Sequence, residues 1–206
     1  AITNPAKVGG LLRAIDGYDG DAVTRLALQL APHVFLRPGE LRWAQWSELD
    51  LEAGIWRVPA ERTKMRKPHS VPLSKQALGI LAELHAITGG EVGYDGFLFP
   101  SIRTRRKPMS ENTLNAALRR LGYTKDEMTA HGFRATASTL LNESGKWTPD
   151  AIERALAHGE SDAVRGAYAR GQHWEERVQM AQWWSDHLDT LRKGADVVPL
   201  RREVGQ

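Results

Sequence analysis

A mainly α-helical fold carrying one small antiparallel β-sheet is predicted by three features of the sequence. Apolar residues recur at helical spacing through most of the chain, in stretches that open on Asn-Pro, Ser or Thr-Pro and close on Gly. The β-prone runs fall in one region, residues 46–73, where prolines at 59, 68 and 72 confine them to short edge strands. The chain of 206 residues is long enough for one domain with a real core. It has no cysteine, which excludes disulfides, thiolate chemistry and Cys-based zinc sites. No apolar run reaches the length of a membrane span and no secretory signal opens the chain, so a cytoplasmic protein is the simplest expectation.

The elements follow in order. Asn4-Pro5 caps a first helix with a stripe of Leu11, Leu12 and Ile15, ended by Gly17. A second helix runs from Asp21 through Leu26 and Leu30, and Pro32 is expected to bend or break it. Pro38 opens a short helix with Glu40, Leu41 and Trp43, which leaves Arg37 at a junction of elements. WSELDL and GIWRVP, separated by the turn composition Glu-Ala-Gly, form two strands, and HSVPL forms a third. The charged RTKMRKP between them places Lys64 near a hairpin tip. Ser74 caps a helix through Leu78, Leu81 and Leu84, ended by Gly89-Gly90. Residues 89–109 read as a long connection holding the apolar patch FLFP. Ser110 caps a helix carrying Leu114, Leu118 and Leu121, and Gly122 stops it. A helix through residues 130–144 follows, and Thr148-Pro149 opens another that ends at His158-Gly159. Ser161 to Tyr168 reads as a short helix or turn, and a long helix spans residues 172–193 with Gly194 as its stop.

The chemistry gathers around AHGFRATASTLLNES, residues 130–144. His131 and Arg134 are three apart and share one helix face, while Phe133, Ala137, Leu140 and Leu141 anchor the other. This puts a proton acceptor beside a permanently charged bidentate donor. A second arginine lies in FLRPGEL, a lysine in RTKMRKPHSVPL, a histidine in LAHGE and a tyrosine in GAYAR. A phosphate needs cations and a nucleophile needs a base; Arg37, Lys64, His131, Arg134, His158 and Tyr168 supply both. The formal charge is only +3, but cations cluster at Arg62, Lys64, Arg66 and Lys67 and again at Arg103, Arg105, Arg106 and Lys107. Arg62, Arg66, Lys67, Arg103, Arg105 and Arg106 are the candidate DNA contacts.

Taken singly, each of these residues has an ordinary structural reading. Arg-Pro-Gly is a common turn, Lys64 a solvated hairpin charge, Arg134 a snorkelling side chain and His158 a helix-end residue favoured by the dipole. Glu40, three residues after Arg37, either holds that guanidinium or is a surface charge. His33, His69, His85, His173 and His187 have no assignable partner and read as structural. The tryptophans at 174, 183 and 184 read as packing residues. What lifts the six above these readings is their joint order and their flanks.

In RPGELRWAQWSELD, TKMRKPHSVPLS, PMSENTLNAALRRLGY, HGFRATASTLLNE, DAIERALAHGE and VRGAYAR the chain resembles the catalytic domain of a tyrosine recombinase of the phage and prophage integrase type. The likeness runs from Thr3 to Leu200. It departs in the small Ala157-His158-Gly159 context, where a Leu-Gly-His run is common.

The resemblance implies the tyrosine recombinase catalytic-core fold and site-specific recombination of double-stranded DNA at attachment sites. Two arginines neutralise the non-bridging oxygens of a phosphodiester and hold the extra charge of its five-coordinate transition state. Tyrosine has a free pKa of about 10, so attack at neutral pH needs a base or a cationic setting. The resemblance gives His131 the role of base, Lys64 that of acid for the leaving 5′ oxygen, His158 that of bonding the phosphate or orienting the site, and Tyr168 that of nucleophile. Attack leaves a 3′-phosphotyrosyl ester, which retains the bond energy, so no ATP is required; no carboxylate cluster has metal-ligand spacing, so no metal is implied, and no cofactor is expected.

The expected division is a catalytic domain over residues 1–194 and a tail over residues 195–206, with the N-terminal DNA-binding domains of such integrases not in this chain. The implied state is a monomer when free and a tetramer on paired DNA sites, in a bacterial cytoplasm. Val197 to Leu200 are expected to add as an edge strand, in cis in the free domain and in trans on paired DNA. Two other readings stay open. One is a type IB topoisomerase-like enzyme without synapsis, and the other is a DNA-binding module with a vestigial site.

Overall fold

The computed structural model describes residues 1–90, 96–157 and 173–194. The chain folds as expected into helices around a small sheet. Helices α1 (Pro5–Asp16), α2 (Ala22–Val34) and α3 (Pro38–Arg42) come first. Strands β1 (Leu49–Asp50), β2 (Ile55–Val58) and β3 (His69–Pro72) form an antiparallel sheet in the order β1-β2-β3. Then come α4 (Lys75–Thr88), a hairpin of β4 (Pro100–Ser101) and β5 (Thr104–Pro108), α5 (Thr113–Arg120), α6 (Gly132–Ser144), α7 (Pro149–Ala155) and the long α8 (Trp174–Lys193). Among the described residues no helix is long and apolar enough to cross a membrane.

Local chemistry accounts for most boundaries. The side chains of Asn4, Asp21, Ser74 and Thr148 accept from backbone N–H groups of the first turns of α1, α2, α4 and α7. Gly145 and Gly194 end α6 and α8 at positive φ. Apolar residues of α2, the sheet, α4 and α5 pack into one core, with Leu26, Trp56, Leu81 and Leu118 fully buried. A second core joins Leu12, Phe35, Leu141, Ile152, Met180 and Trp184 and so ties α1, α6, α7 and α8 together. Gly9 lets α1 lie close on α8; a Cβ there would stand 2.0 Å from the Leu191 carbonyl oxygen.

Three expectations are corrected. Pro32 does not break α2, which continues to Val34. Its carbonyl accepts from Trp184 Nε1 at 2.8 Å, so packing on α8 holds the last turn. Residues 100–108 are a two-stranded hairpin rather than irregular connection, anchored where Met109 N donates to the Phe99 carbonyl at 2.7 Å. Helix α5 starts at Thr113, and Ser110 sits before it with its Oγ on Thr113 Oγ1 at 3.0 Å. The tail and the segment containing Ser161 to Tyr168 lie outside the described residues.

His33 locks α2 to α8 and α4 through a buried polar chain. Its Nδ1 meets Ser185 Oγ at 2.8 Å, and Ser185 Oγ donates to Ser74 Oγ at 2.7 Å. Burial pushes the imidazole down to about 4, so it is neutral in the fold. Below pH ~6.5 the unfolded chain takes up a proton that the folded one refuses, so stability is full above that pH and falls as pH drops toward 4. The contribution lost between pH 7.5 and 5 is about 2 kcal/mol. Denaturant titrations at the two pH values should show that loss, and His33→Asn should remove it; an equal pH slope in both proteins would refute the assignment.

Candidate functional site

The site is built where the ends of α2, α6 and α7 meet. Arg37 is the N-cap of α3, in extended backbone conformation, with Pro38 fixing the first turn behind it. Its Nη1 donates to Glu40 Oε1 at 2.9 Å, and its backbone N–H donates to Glu40 Oε2 at 2.9 Å. Glu40 is 4% exposed, so it is an internal carboxylate that orients the guanidinium. Arg37 Nη2 reaches across to the Ala157 carbonyl at 2.9 Å.

Arg134 lies in the first turn of α6 and is also 4% exposed. It donates from Nη1 to the Phe35 carbonyl and from Nη2 to the Leu156 carbonyl. The two arginines therefore grip consecutive carbonyls at the C-terminal end of α7. Carbonyls there lack helical partners and carry the negative end of the helix dipole, so they attract cations. Each guanidinium has five N–H donors, and the side-chain bonds named here use two on each. Burial, and then the neighbouring charge of Arg37, lower the pKa of Arg134 to about 10, which still leaves it a cation at neutral pH.

Two left-handed residues bracket this pair. Phe35 has φ +54° and Ala157 φ +47°, a region that costs a residue with a Cβ about 1–2 kcal/mol. The Phe35 carbonyl accepts from Arg134 and the Ala157 carbonyl from Arg37. Ala157 is also where the sequence departs from the common Leu-Gly-His, and its positive φ explains why glycine suits that position. Strain of this kind persists where surrounding contacts over-determine it, and here both strained carbonyls are held by site arginines.

The remaining candidates divide. His131 is the N-cap of α6, one turn before Arg134, and is exposed. Lys64 lies on an exposed turn between β2 and β3. That turn is tied at its base: Thr63 Oγ1 donates to the Lys67 carbonyl at 2.8 Å and accepts from Lys67 N at 3.0 Å. His158 and Tyr168 lie outside the described residues. Arg66, Lys67, Arg103, Arg105 and Arg106 are exposed, and Arg105 Nη2 also donates to the Ile87 carbonyl at 2.9 Å. Arg62, expected beside them as a DNA contact, turns inward. It pairs with the buried Glu48 and donates to the Glu40 carbonyl at 3.3 Å, which is the position of an internal strut.

His69, read from the sequence as structural, stands within this site. Burial is the main force lowering its pKa to about 3, and the charges of Arg177, Arg134 and Arg37 add to it, while a bond to the Ala155 backbone opposes it. Its Nε2 is buried and meets no hydrogen-bond partner among the described residues. A buried nitrogen of this sort costs about 1–3 kcal/mol, more than an apolar side chain of the same size would. One sequence signal pointed here: His69 is two residues from the buried Val71 on β3, so strand alternation puts both on one face.

The chain matches the family described as "Phage integrase family" over residues 3–173. It is 44% identical over 201 residues to "Putative protein IntB" of Escherichia coli (strain K12), covering 91% of this chain and 50% of that protein. It is 44% identical over 195 residues to the "Integrase" of Enterobacteria phage P4, covering 88% of this chain and 44% of that protein. The chain thus spans about half the length of these curated relatives. Among solved structures, the lambda integrase catalytic core aligns with a TM-score of 0.53 at 24% identity, covering 74% of this chain and 90% of that one. The integrase from mycobacterium phage Brujita aligns with a TM-score of 0.64 at 18% identity, covering 84% and 55%.

Proposed function

This chain belongs to the phage integrase family, and from that premise we propose that it is the catalytic domain of a site-specific recombinase that cleaves and rejoins double-stranded DNA through Tyr168. The observation that carries the reading is the arginine pair. Arg37 and Arg134 come from separate elements, yet both are fixed on adjacent carbonyls with further donors on each fork. A single phosphate bound there would meet two cations already oriented before it arrives. Such preorganised donors stabilise the charge that develops in phosphoryl transfer.

Tyr168 would attack the phosphorus as the P–O5′ bond breaks, giving a 3′-phosphotyrosyl ester. Lys64 would give the departing 5′ oxygen its proton, and His131 would take the proton of the tyrosine hydroxyl. His158 would bond the phosphate. Arg66, Lys67, Arg103, Arg105 and Arg106 would hold the duplex through its backbone, so affinity falls as salt rises. The reading assigns residues 1–194 to the catalytic domain and residues 195–206 to a coupling tail. It places the protein on DNA in the bacterial cytoplasm, monomeric when free and tetrameric on paired sites.

Covalent capture tests this without a defined attachment site. A pool of nicked duplexes with randomised cores is incubated with the protein, and SDS-resistant protein–DNA adducts are recovered and sequenced. Enrichment of one core in covalent adducts supports the reading, and joining of two such cores in one reaction separates recombination from simple relaxation. Binding without any adduct would leave a DNA-binding module and end the enzymatic reading.

A further inference from the structure

We propose that Arg62 is a positioning residue: its guanidinium ties the turn that carries Lys64 to Glu40, the same residue that orients Arg37, and so holds the general acid in register with the phosphate the arginines bind. The inference rests on the reading of Lys64 as that acid.

The connection between β2 and β3, residues 59–68, is closed upon itself. Ala60–Arg62 form one tight helical turn, in which Arg62 N donates to the Pro59 carbonyl at 3.1 Å and Thr63 N to the Ala60 carbonyl at 3.2 Å. The buried Thr63 staples the far side. Its hydroxyl bonds the Ala60 carbonyl at 3.1 Å and the Lys67 carbonyl at 2.8 Å, and its own carbonyl accepts from Arg66 N at 3.1 Å. Lys64 therefore stands two residues beyond Arg62 inside a run of short-range bonds, and its backbone follows wherever the Arg62 end is fixed. Bonds of this kind set the shape of a turn but not its place on the domain. Among the described residues, the hydrogen bonds that carry this connection to other elements are those of the Arg62 side chain.

Those bonds reach two places. Arg62 Nη2 pairs with Glu48 Oε2, and the same oxygen accepts from Trp56 Nε1 at 2.9 Å. Trp56 is fully buried on β2 and Glu48 directly precedes β1, so this anchor belongs to the sheet. Arg62 Nη1 donates to the Glu40 carbonyl at 3.3 Å. That carbonyl lies in the last turn of α3, where carbonyls lack helical partners and a cation is favoured. The carboxylate of Glu40 meanwhile accepts from Arg37 Nη1 and from the Arg37 backbone N–H, each at 2.9 Å. One residue thus takes Arg37 on its side chain and Arg62 on its backbone. The path from acid to phosphate runs through the Lys64 turn, Arg62, Glu40 and Arg37. A lysine at position 62 could not span Glu48 and Glu40 together, because its ammonium lacks the rigid fork. The Arg62 side chain is 15% exposed, which leaves little of it for a DNA phosphate and separates its part from that of the exposed Arg66 and Lys67.

The test compares two leaving groups. In an ordinary duplex the P–O5′ bond breaks and the oxygen takes a proton from the acid. In a duplex with sulfur at the 5′ bridging position the P–S bond breaks and a thiolate leaves without needing one. Both duplexes carry a core recovered by covalent capture. Single-turnover cleavage and gel-shift affinity are measured for the wild-type chain, Lys64→Ala and Arg62→Met. Arg62→Met is expected to cleave the oxygen substrate about 10–100-fold more slowly, the usual range for a group that orients another. On the sulfur substrate the deficit should largely vanish, as it should for Lys64→Ala, and affinity for the duplex should stay at the wild-type value. An Arg62→Met deficit equal on both substrates gives Arg62 a part in holding Arg37 or the fold, and overturns the proposal while the reading of Lys64 stands. A wild-type rate on oxygen overturns it as well, and so does a loss of affinity, which would make Arg62 a DNA contact. If Lys64→Ala is not rescued by sulfur, the acid assignment itself fails and the inference falls with it. Arg62→Met strands the buried Glu48 carboxylate, so where it does not fold the double variant Arg62→Met/Glu48→Gln takes its place. The amide removes the charge and still accepts from Trp56, and the same rates on the two substrates decide the outcome.

Discussion

Tyr168→Phe is expected to abolish the SDS-resistant DNA adduct completely while leaving DNA affinity unchanged. The substitution removes one oxygen atom. Affinity for a duplex comes mainly from backbone phosphates and their cations, none of which is touched. A covalent ester, by contrast, needs a nucleophilic oxygen, and the proposed site offers only that hydroxyl to fill the role. Gel-shift titration at fixed salt measures the first quantity, and denaturing electrophoresis after incubation with a nicked duplex measures the second. An adduct that survives in Tyr168→Phe would remove Tyr168 as the nucleophile. Loss of both adduct and binding would instead give the side chain a structural part.

The elements that were legible in the sequence are those whose causes lie within a few residues. Asn4, Asp21, Ser74 and Thr148 cap helices through bonds to residues three away, and each was readable from its neighbours. The arginine pair was legible for a different reason. Arg37 and Arg134 stand in flanks specific enough to carry a resemblance, although 97 positions separate them in the chain. Glu40 was readable as a partner of Arg37 only as one of two options, and its burial decides between them.

What stayed hidden depends on contacts distant in sequence. Pro32 remains helical because α8 returns, some 150 residues later, to bond its carbonyl and the His33 ring. The β4–β5 hairpin has almost no β signature, because its second strand reads TRRKP and its register pairs Pro100 with Pro108. Its Ile102 tip is 82% exposed, so burial leaves no alternation to detect. His69 lacked an assignable partner because its surroundings come from α7, α8 and the two arginines. Arg62 looked like any other cation of a basic turn, and only the buried Glu48 reveals that it points inward.

Arg134→Lys is expected to damage stability and chemistry together, and the two losses should be separable. A lysine ammonium is a point charge without the planar fork. It cannot bond both the Phe35 and Leu156 carbonyls, which lie on separate elements, and still face a phosphate. Leaving one buried carbonyl without its donor costs about 1–3 kcal/mol. The strain at Phe35 would then lose part of what holds it, so the unfolding midpoint should drop by several degrees. Catalysis should suffer more. Loss of one preorganised donor to a developing oxyanion lowers rates by roughly 10²–10³-fold. Cleavage is therefore measured well below the variant's own midpoint, where it is fully folded. A rate that recovers once the protein is folded would confine Arg134 to a structural role in pinning the end of α7. A rate that stays depressed under those conditions, with near-normal DNA affinity, assigns the guanidinium to the transition state itself. Arg37→Lys provides the comparison: its side chain is 20% exposed and held by Glu40, so the same rate loss should come with a smaller loss of stability.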